Sequence, residues 1–158
     1  MIRIIAVGKI KEKSLRELIA EYTKRISGYD RIEILETDEE KIPASNSEAE
    51  NGKAMEAEGK RLLEKVKPGD YMVLLDLAGE MTDSVKLSEK IEKIRTYESG
   101  TIDFVIGGSL GTSKDVKKRA NWKWKLSDLT FPHQLARLVV LEQIYRSFKI
   151  QHNEPYHK

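Results

Sequence analysis

The run Tyr71-Met-Val-Leu-Leu-Asp-Leu77 is apolar at alternate and intervening positions alike. A strand with two apolar faces has to be covered on both, which places it at the centre of a mostly parallel sheet. Arg3–Val7 and Ile102–Ile106 read as buried strands of the same kind. Arg31–Thr37 alternates enough to be another, and Trp122–Leu126 alternates Trp and Lys as a short fifth. Helical periodicity fills the gaps. Leu15, Leu18, Ile19, Tyr22 and Ile26 recur behind a Ser14 cap, and Gly28 closes that helix. Residues 38–51, with Pro43, read as a polar loop. A charged helix follows to about Val66, weakened by Gly52 and Gly59 and stopped before Pro68-Gly69. Ala78-Gly79 is expected to turn the chain, with Thr82 or Asp83 capping a helix that runs through Arg95. Gly107–Gly111 leads to a short basic helix capped by Thr112 or Ser113. Pro132 opens the last helix at its favoured first position. Alternating strands and helices predict one α/β domain over residues 1–158, a parallel sheet with helices on both faces.

The longest apolar stretches, Ile4–Val7 and Met72–Leu75, are far short of a membrane span. Met1–Val7 is too short for a signal peptide and runs straight into a folded pattern. With no cysteine there is no disulfide framework. A cytoplasmic location and no membrane partner are the expectation. The net charge of +2 hides an asymmetry. Residues 112–158 hold ten Lys/Arg against four Asp/Glu, and residues 1–111 carry a net −4. A basic end of this kind suits a polyanion such as RNA, or is simply a solvated face.

The last helix is apolar almost all round: Leu135, Leu138, Val139, Leu141, Ile144, Tyr145 and Phe148 leave only a narrow stripe for Glu142, Arg146 and Lys149. Such a helix needs cover on more than one side. In a chain this small the expected second cover is another subunit, hence a homodimer.

Ligands of open α/β sheets sit beyond the carboxyl ends of the strands. Three loops qualify: Leu75–Gly79, Gly107–Gly111 and Leu126–Phe131. Neither G-x-G-x-x-G nor G-x-x-x-x-G-K-[ST] occurs, and H-E-x-x-H is also missing, so the patterns for dinucleotide, nucleoside-triphosphate and zinc chemistry are not found. No metal is expected. His133 could cap or pack locally, or move a proton. The ending His152-Asn-Glu-Pro-Tyr-His-Lys158 reads either as a fraying tail or as a ring, an imidazole and a cation able to meet RNA. Trp122 and Trp124 read as strand core or interface.

Several ordered motifs carry a resemblance. They are Ile5-Ala-Val-Gly-Lys9, Glu21-Tyr22-x-Lys24-Arg25, Phe104-Val-Ile-Gly-Gly-Ser109-x-Gly111, Thr130-Phe-Pro-His-Gln134, Arg137, Glu142-Gln143-x-Tyr145-Arg146-x-Phe148-Lys-Ile150 and Pro155-Tyr-His-Lys158. Together they resemble the large-subunit ribosomal RNA pseudouridine N(3)-methyltransferase family of the SPOUT superfamily, over the whole chain. Pro155 is a departure, since Ala or Gly is usual before that tyrosine. The resemblance implies the SPOUT fold with a C-terminal trefoil knot and a homodimer. It also implies methylation of the ring imide nitrogen of a pseudouridine, in ribosomal RNA within a ribosomal particle. S-adenosyl-L-methionine would be the cofactor, at Leu75, Gly107 and Leu126, Ser127, Asp128, Leu129, Thr130 and Phe131. The accepting nitrogen must lose a proton, and His133, Glu142 and His157 are the candidates, in no fixed order. Arg137, Arg146, Tyr156 and Lys158 would meet the RNA. Two readings compete: the same fold acting on transfer RNA, and a non-catalytic ribosome-binding module.

Overall fold

Every residue of Ile2–Val7 (β1) and of Ile102–Ile106 (β4) is buried, the signature of strands covered on both faces. With Ile32–Thr37 (β2), Tyr71–Glu80 (β3) and Trp122–Trp124 (β5) they form a five-stranded sheet of order β2-β1-β4-β3-β5. Every pairing in it is parallel. These elements come from a computed structural model that describes residues 1–42 and 44–158. Pro43, expected in the polar loop, lies outside the described residues.

Strand alternation divides the core. Ile2, Ile4, Ala6, Val73, Phe104, Trp122 and Trp124 face one side, where they meet Lys13–Ser27 (α1), Ser84–Lys93 (α3) and His133–Gln151 (α5). Ile5, Val7, Met72, Leu74 and Val105 face the other, under Glu48–Lys65 (α2) and Lys114–Arg119 (α4). The connections through α1 and α3 run over the first face toward β2. Those through α2 and α4 run over the second face toward β5. All four crossovers therefore have the same hand, as right-twisted strands require.

Several local expectations shift. Ser47, not a residue after 51, starts α2: its hydroxyl accepts from Glu50 N at 3.2 Å, a Ser-x-x-Glu cap hidden inside a polar stretch. Glu12 rather than Ser14 precedes α1, with no side-chain cap. Asp83 caps α3, Ser113 caps α4, and Pro132 stands one place before the first turn of α5. The helix through Arg95 ends in a π-helical turn, Ile94–Glu98, closed by Ser99 N donating to Ile94 O at 2.9 Å. Ala78-Gly79 does not turn the chain away. β3 leaves the ladder after Leu75 and rejoins at Glu80, and both residues pair with Trp124.

The argument from α5 to a second subunit also changes. Leu141, Ile144, Tyr145 and Phe148 are buried within the single chain, because α1 and α3 flank α5 on either side. Leu138 and Val139 stay half-buried, and Leu135 is exposed.

At the amino ends of β1 and β4, the Arg3 guanidinium grips Asp103 through Nε (2.7 Å) and Nη2 (2.8 Å), and Asp70 at 2.6 Å. Asp103 is fully buried. That burial pushes its carboxyl up to about 6, against the opposing pull of Arg3 and with help from Asp70. The unfolded chain then gives up this proton more readily than the folded one. This group's contribution to stability is intact below about pH 4 and is lost as pH rises through 6. Asp103→Asn lacks the effect. Urea midpoints of the two proteins should diverge between pH 4 and 7.5, in favour of the variant, by at most about 3 kcal/mol. A constant difference across that range would reject the assignment.

The two glycines of α2 should respond oppositely. A Cβ on Gly52 meets nothing within 4 Å, so Gly52→Ala should add roughly 0.5–1 kcal/mol of stability. A Cβ on Gly59 would run into Ser113 Oγ and lie 3.1 Å from Val116 Cγ2. Gly59→Ala should therefore cost about 1–3 kcal/mol, the usual penalty for overpacking. Denaturant unfolding of both variants checks the pair of signs.

Candidate active site

Where β3, β4 and β5 end, three loops leave the sheet and enclose a cleft of about 600 Å3. Its first wall is Leu75–Ala78, the excursion of β3 between its two pairings with Trp124. Gly79 brings that excursion back. A Cβ there would lie 2.6 Å from the Lys123 carbonyl, so only glycine lets the two backbones approach so closely. The second wall is Ile106–Gly108 with Gly111 and Thr112, a tight loop in which Gly111 N donates to Gly108 O at 3.1 Å. The third is the segment between β5 and α5, in which the Ser127 hydroxyl accepts from Leu129 N at 3.0 Å.

The structure brings Leu75, Gly107, Leu126, Ser127, Leu129, Thr130 and Phe131 to this one cleft. Asp128 is the exception. Its carboxylate takes Lys125 Nζ at 2.6 Å out on the surface, and it is not part of the wall. A side chain on Gly107 would strike Thr112 Cγ2 at 2.5 Å, inside the loop, so substitution there would spread the wall rather than fill the cleft. Asp76, inside the expected Leu75–Gly79 loop, and Thr112, expected only as a helix cap, also reach the cleft, as does Lys117, which the sequence did not mark. Among the described residues, no cluster of three or more His, Asp or Glu side chains is placed to hold a metal.

Glu58 is another residue the sequence did not mark. It is buried on α2, with one oxygen accepting from Glu40 N at 2.9 Å and the other unpartnered among the described residues. A Cβ on Gly108 would stand 3.1 Å from that second oxygen, so the carboxyl lies directly behind the cleft loop. Burial first, then Glu39 and Glu40, push its titration upward.

The three proton-transfer candidates do not converge. His133 lines the cleft at the first turn of α5. Glu142 lies nine residues on, about 13 Å along the helix axis. Its oxygens already accept from Arg146 Nη2 (2.6 Å) and Nε (3.0 Å), Gln143 Nε2 (2.8 Å) and the Tyr156 hydroxyl (3.2 Å). Arg146 also meets His157 Nδ1 at 3.2 Å and lies 4.7 Å above the Tyr156 ring.

The tail is therefore docked, not frayed. Tyr156 packs edge-on against Tyr145 at 4.9 Å, and burial followed by Tyr22 and Glu142 pushes its phenol upward. Glu154 accepts from Tyr29 at 2.9 Å and from Lys149 at 2.7 Å. His157 reaches the rim of a second cavity of about 660 Å3, between the start of α3 and α5, which shares Trp124 and Leu126 with the cleft.

Arg137 is corrected outright as a surface cation. It is 2% exposed, donating to Glu36 Oε2 at 2.6 Å and to Gly8 O at 3.1 Å, and so ties α5 to the ends of β1 and β2. Arg146 is engaged with Glu142, and Lys158 is exposed.

Comparison with known proteins agrees with this architecture. A family described as "Predicted SPOUT methyltransferase" matches residues 1–157. Proteins named ribosomal RNA large subunit methyltransferase H are 50% identical in Ruminiclostridium cellulolyticum, and 48% identical in both Leuconostoc mesenteroides and Bacillus pumilus. Each match covers 99% of both chains. A solved structure of a probable methylase family protein from Haemophilus influenzae shares the fold at TM-score 0.53 and 13% identity, over 99% of this chain and 70% of that one. Matched along nearly its whole length by the family pattern and by these relatives, the chain belongs to the SPOUT methyltransferase family.

Proposed function

We propose that the protein methylates N(3) of a pseudouridine in large-subunit ribosomal RNA, within a ribosomal particle, with S-adenosyl-L-methionine as donor. The observation that carries the reading is the cleft at the ends of β3, β4 and β5, in a chain of a methyltransferase family whose half-identical relatives are named for large-subunit ribosomal RNA. A docking module without catalysis has no use for such a cleft. The wall chemistry suits the donor: Leu75, Leu126 and Phe131 offer apolar surface to an adenine. Ser127, Thr130 and the loop backbone offer neutral hydrogen bonds, and Asp76 offers a carboxylate to an ammonium or sulfonium. When bound, the sulfonium supplies the activated methyl group. The chain's part is to orient and to exclude water. We assign the imide proton to His133, which lines the cleft. Glu142, with its oxygens occupied, orients Arg146 and Tyr156 instead. The trefoil knot belongs to the same reading, with Leu126–Phe131 as part of it.

A homodimer belongs to it too, on new grounds. Leu77, Val85 and Leu129 line the two adjoining cavities and are exposed, as are Met81 and Leu135, and exposed apolar side chains gathered at a site suit an interface. A second copy would bring its docked tail to a cleft that its own chain does not reach. Light scattering should give twice the chain mass at micromolar concentration, and Leu135→Asp should lower it.

Base-level mass mapping of ribosomal RNA, with and without the protein, should show one methyl gained at a pseudouridine. An unchanged spectrum would reject the reading. Leu129 is exposed, so Leu129→Asp should unfold like the parent but bind the donor at least about tenfold more weakly by calorimetry, as an apolar wall turns into a charge.

Because the tail is packed, removing Pro155–Lys158 should cost on the order of 1–2 kcal/mol through the lost Tyr156 contacts. The exposed His157 allows a cleaner test. His157→Ala should leave unfolding and donor affinity unchanged and lower methyl transfer by about a hundredfold if the imidazole meets substrate. A wild-type rate would leave His133 as the proton acceptor.

A further inference from the structure

The basic surplus of the C-terminal part is not where the tail would suggest. Residues 112–125 hold six Lys/Arg against a single acid, Asp115, whereas residues 126–158 hold four against three. In the second stretch, Arg137, Arg146 and Lys149 are paired with Glu36, Glu142 and Glu154. In the first, Lys114, Lys117, Lys118 and Lys123 are exposed, and none of them takes part in an ion pair among the described residues.

These four also share one side of the molecule. Val116 is the buried residue of α4, while Lys114, Lys117 and Lys118 fall at i, i+3 and i+4 on its outer face. β5 is the edge strand, and Trp122 and Trp124 turn into the core under α3 and α5. Alternation therefore sends Lys123 to the α2 and α4 side. Lys117 reaches the cleft wall, so the patch runs from the cleft rim outward.

We propose that Lys114, Lys118 and Lys123 are a phosphate-docking surface for the RNA strand flanking the target nucleoside, with Lys117 at its cleft end. This rests on the ribosomal RNA reading above and places RNA on the face opposite the tail. Free ammonium groups in a row, without carboxylate partners, are the arrangement that releases counterions from a nucleic-acid backbone. An acidic protein surface would meet the same charges, and the test separates the two.

The test is the triple variant Lys114→Gln, Lys118→Gln, Lys123→Gln, measured for binding to protein-free large-subunit RNA and to particles across salt concentrations. The expected result is at least a tenfold loss on both at about 150 mM salt. The log affinity–log salt slope should shrink by about two, as for three phosphates at roughly 0.7 each. Donor affinity and unfolding should match the parent, and the triple Lys→Arg variant should keep its RNA affinity. Parent-like affinity and slope in the Gln variant would overturn the proposal. So would a loss confined to particles, which would make the partner a ribosomal protein. Methylation need not occur for this binding to be read, so a wild-type protein that binds RNA but adds no methyl group would sink the methyltransferase reading and leave the docking surface standing.

Discussion

A full cation sits inside this protein, and much of the site depends on where it is held. Arg137 is closed off from solvent, with Glu36 of β2 and the carbonyl of Gly8 at the end of β1 as its partners. Gly8 turns at φ +84°, a conformation that aims its carbonyl without a side-chain penalty. Glu36 is itself 34% exposed, so water can partly replace it, and its removal should cost less than the roughly 3–5 kcal/mol of a fully buried pair. The bond fixes both the height and the rotation of α5 across the sheet. His133, one turn earlier, is thereby set against the cleft. Tyr145 and Arg146, two turns later, become the seat on which the tail folds back.

The cleft follows from the same economy of backbone. β3 is long enough to pair twice with Trp124, and what lies between the pairings is pushed out as a wall. That wall, the glycine loop after β4 and the segment before α5 are all held by backbone contacts and by packing from beneath. Glu58 and Gly59 of α2 press on the loop from Gly108 to Ser113, so the cleft's shape is set by a helix that never lines it. A cleft built this way offers shape and backbone hydrogen bonds beside the Asp76 carboxylate, which would suit a ligand that brings its own reactive charge.

How much of this was legible in the sequence follows from the range of each interaction. Both-face burial is written into every second residue, so β1, β3 and β4 and the parallel sheet could be read directly. The three strand-end loops followed from topology, before any resemblance. The excursion at Asp76–Gly79 could not be read, because a slip in the ladder is decided by the partner strand, here Trp124. Arg137 looked like an RNA contact because the resemblance implied one, and only Glu36, 101 residues away, shows that it is a buried tie. The tail looked frayed for the same reason: Tyr29 and Tyr145, its packing partners, are assembled by α1 meeting α5. α5 looked as if it needed a second subunit because its cover comes from α1 and α3, whose positions no local period encodes.

The distribution of groups over the two faces then narrows what a single chain can do. His133 stands in the cleft, while Glu142 stands about 13 Å further along α5, gathered with Arg146 and Tyr156, and His157 reaches the second cavity. Within one chain, a nucleoside base held at His133 stands about three turns of helix from Glu142. A twofold axis offers a way out, since it makes every contact reciprocal: a tail that leaves its own cleft unserved can serve its partner's. The unpaired lysines lie on the other side of the sheet from that tail, beside the same cleft. An RNA strand held there and a tail arriving from the partner would approach the reacting centre from opposite sides. The base would be clamped between them. In the proposed dimer, dimerisation would be a condition of catalysis and not of donor binding, because the cleft walls all come from one chain.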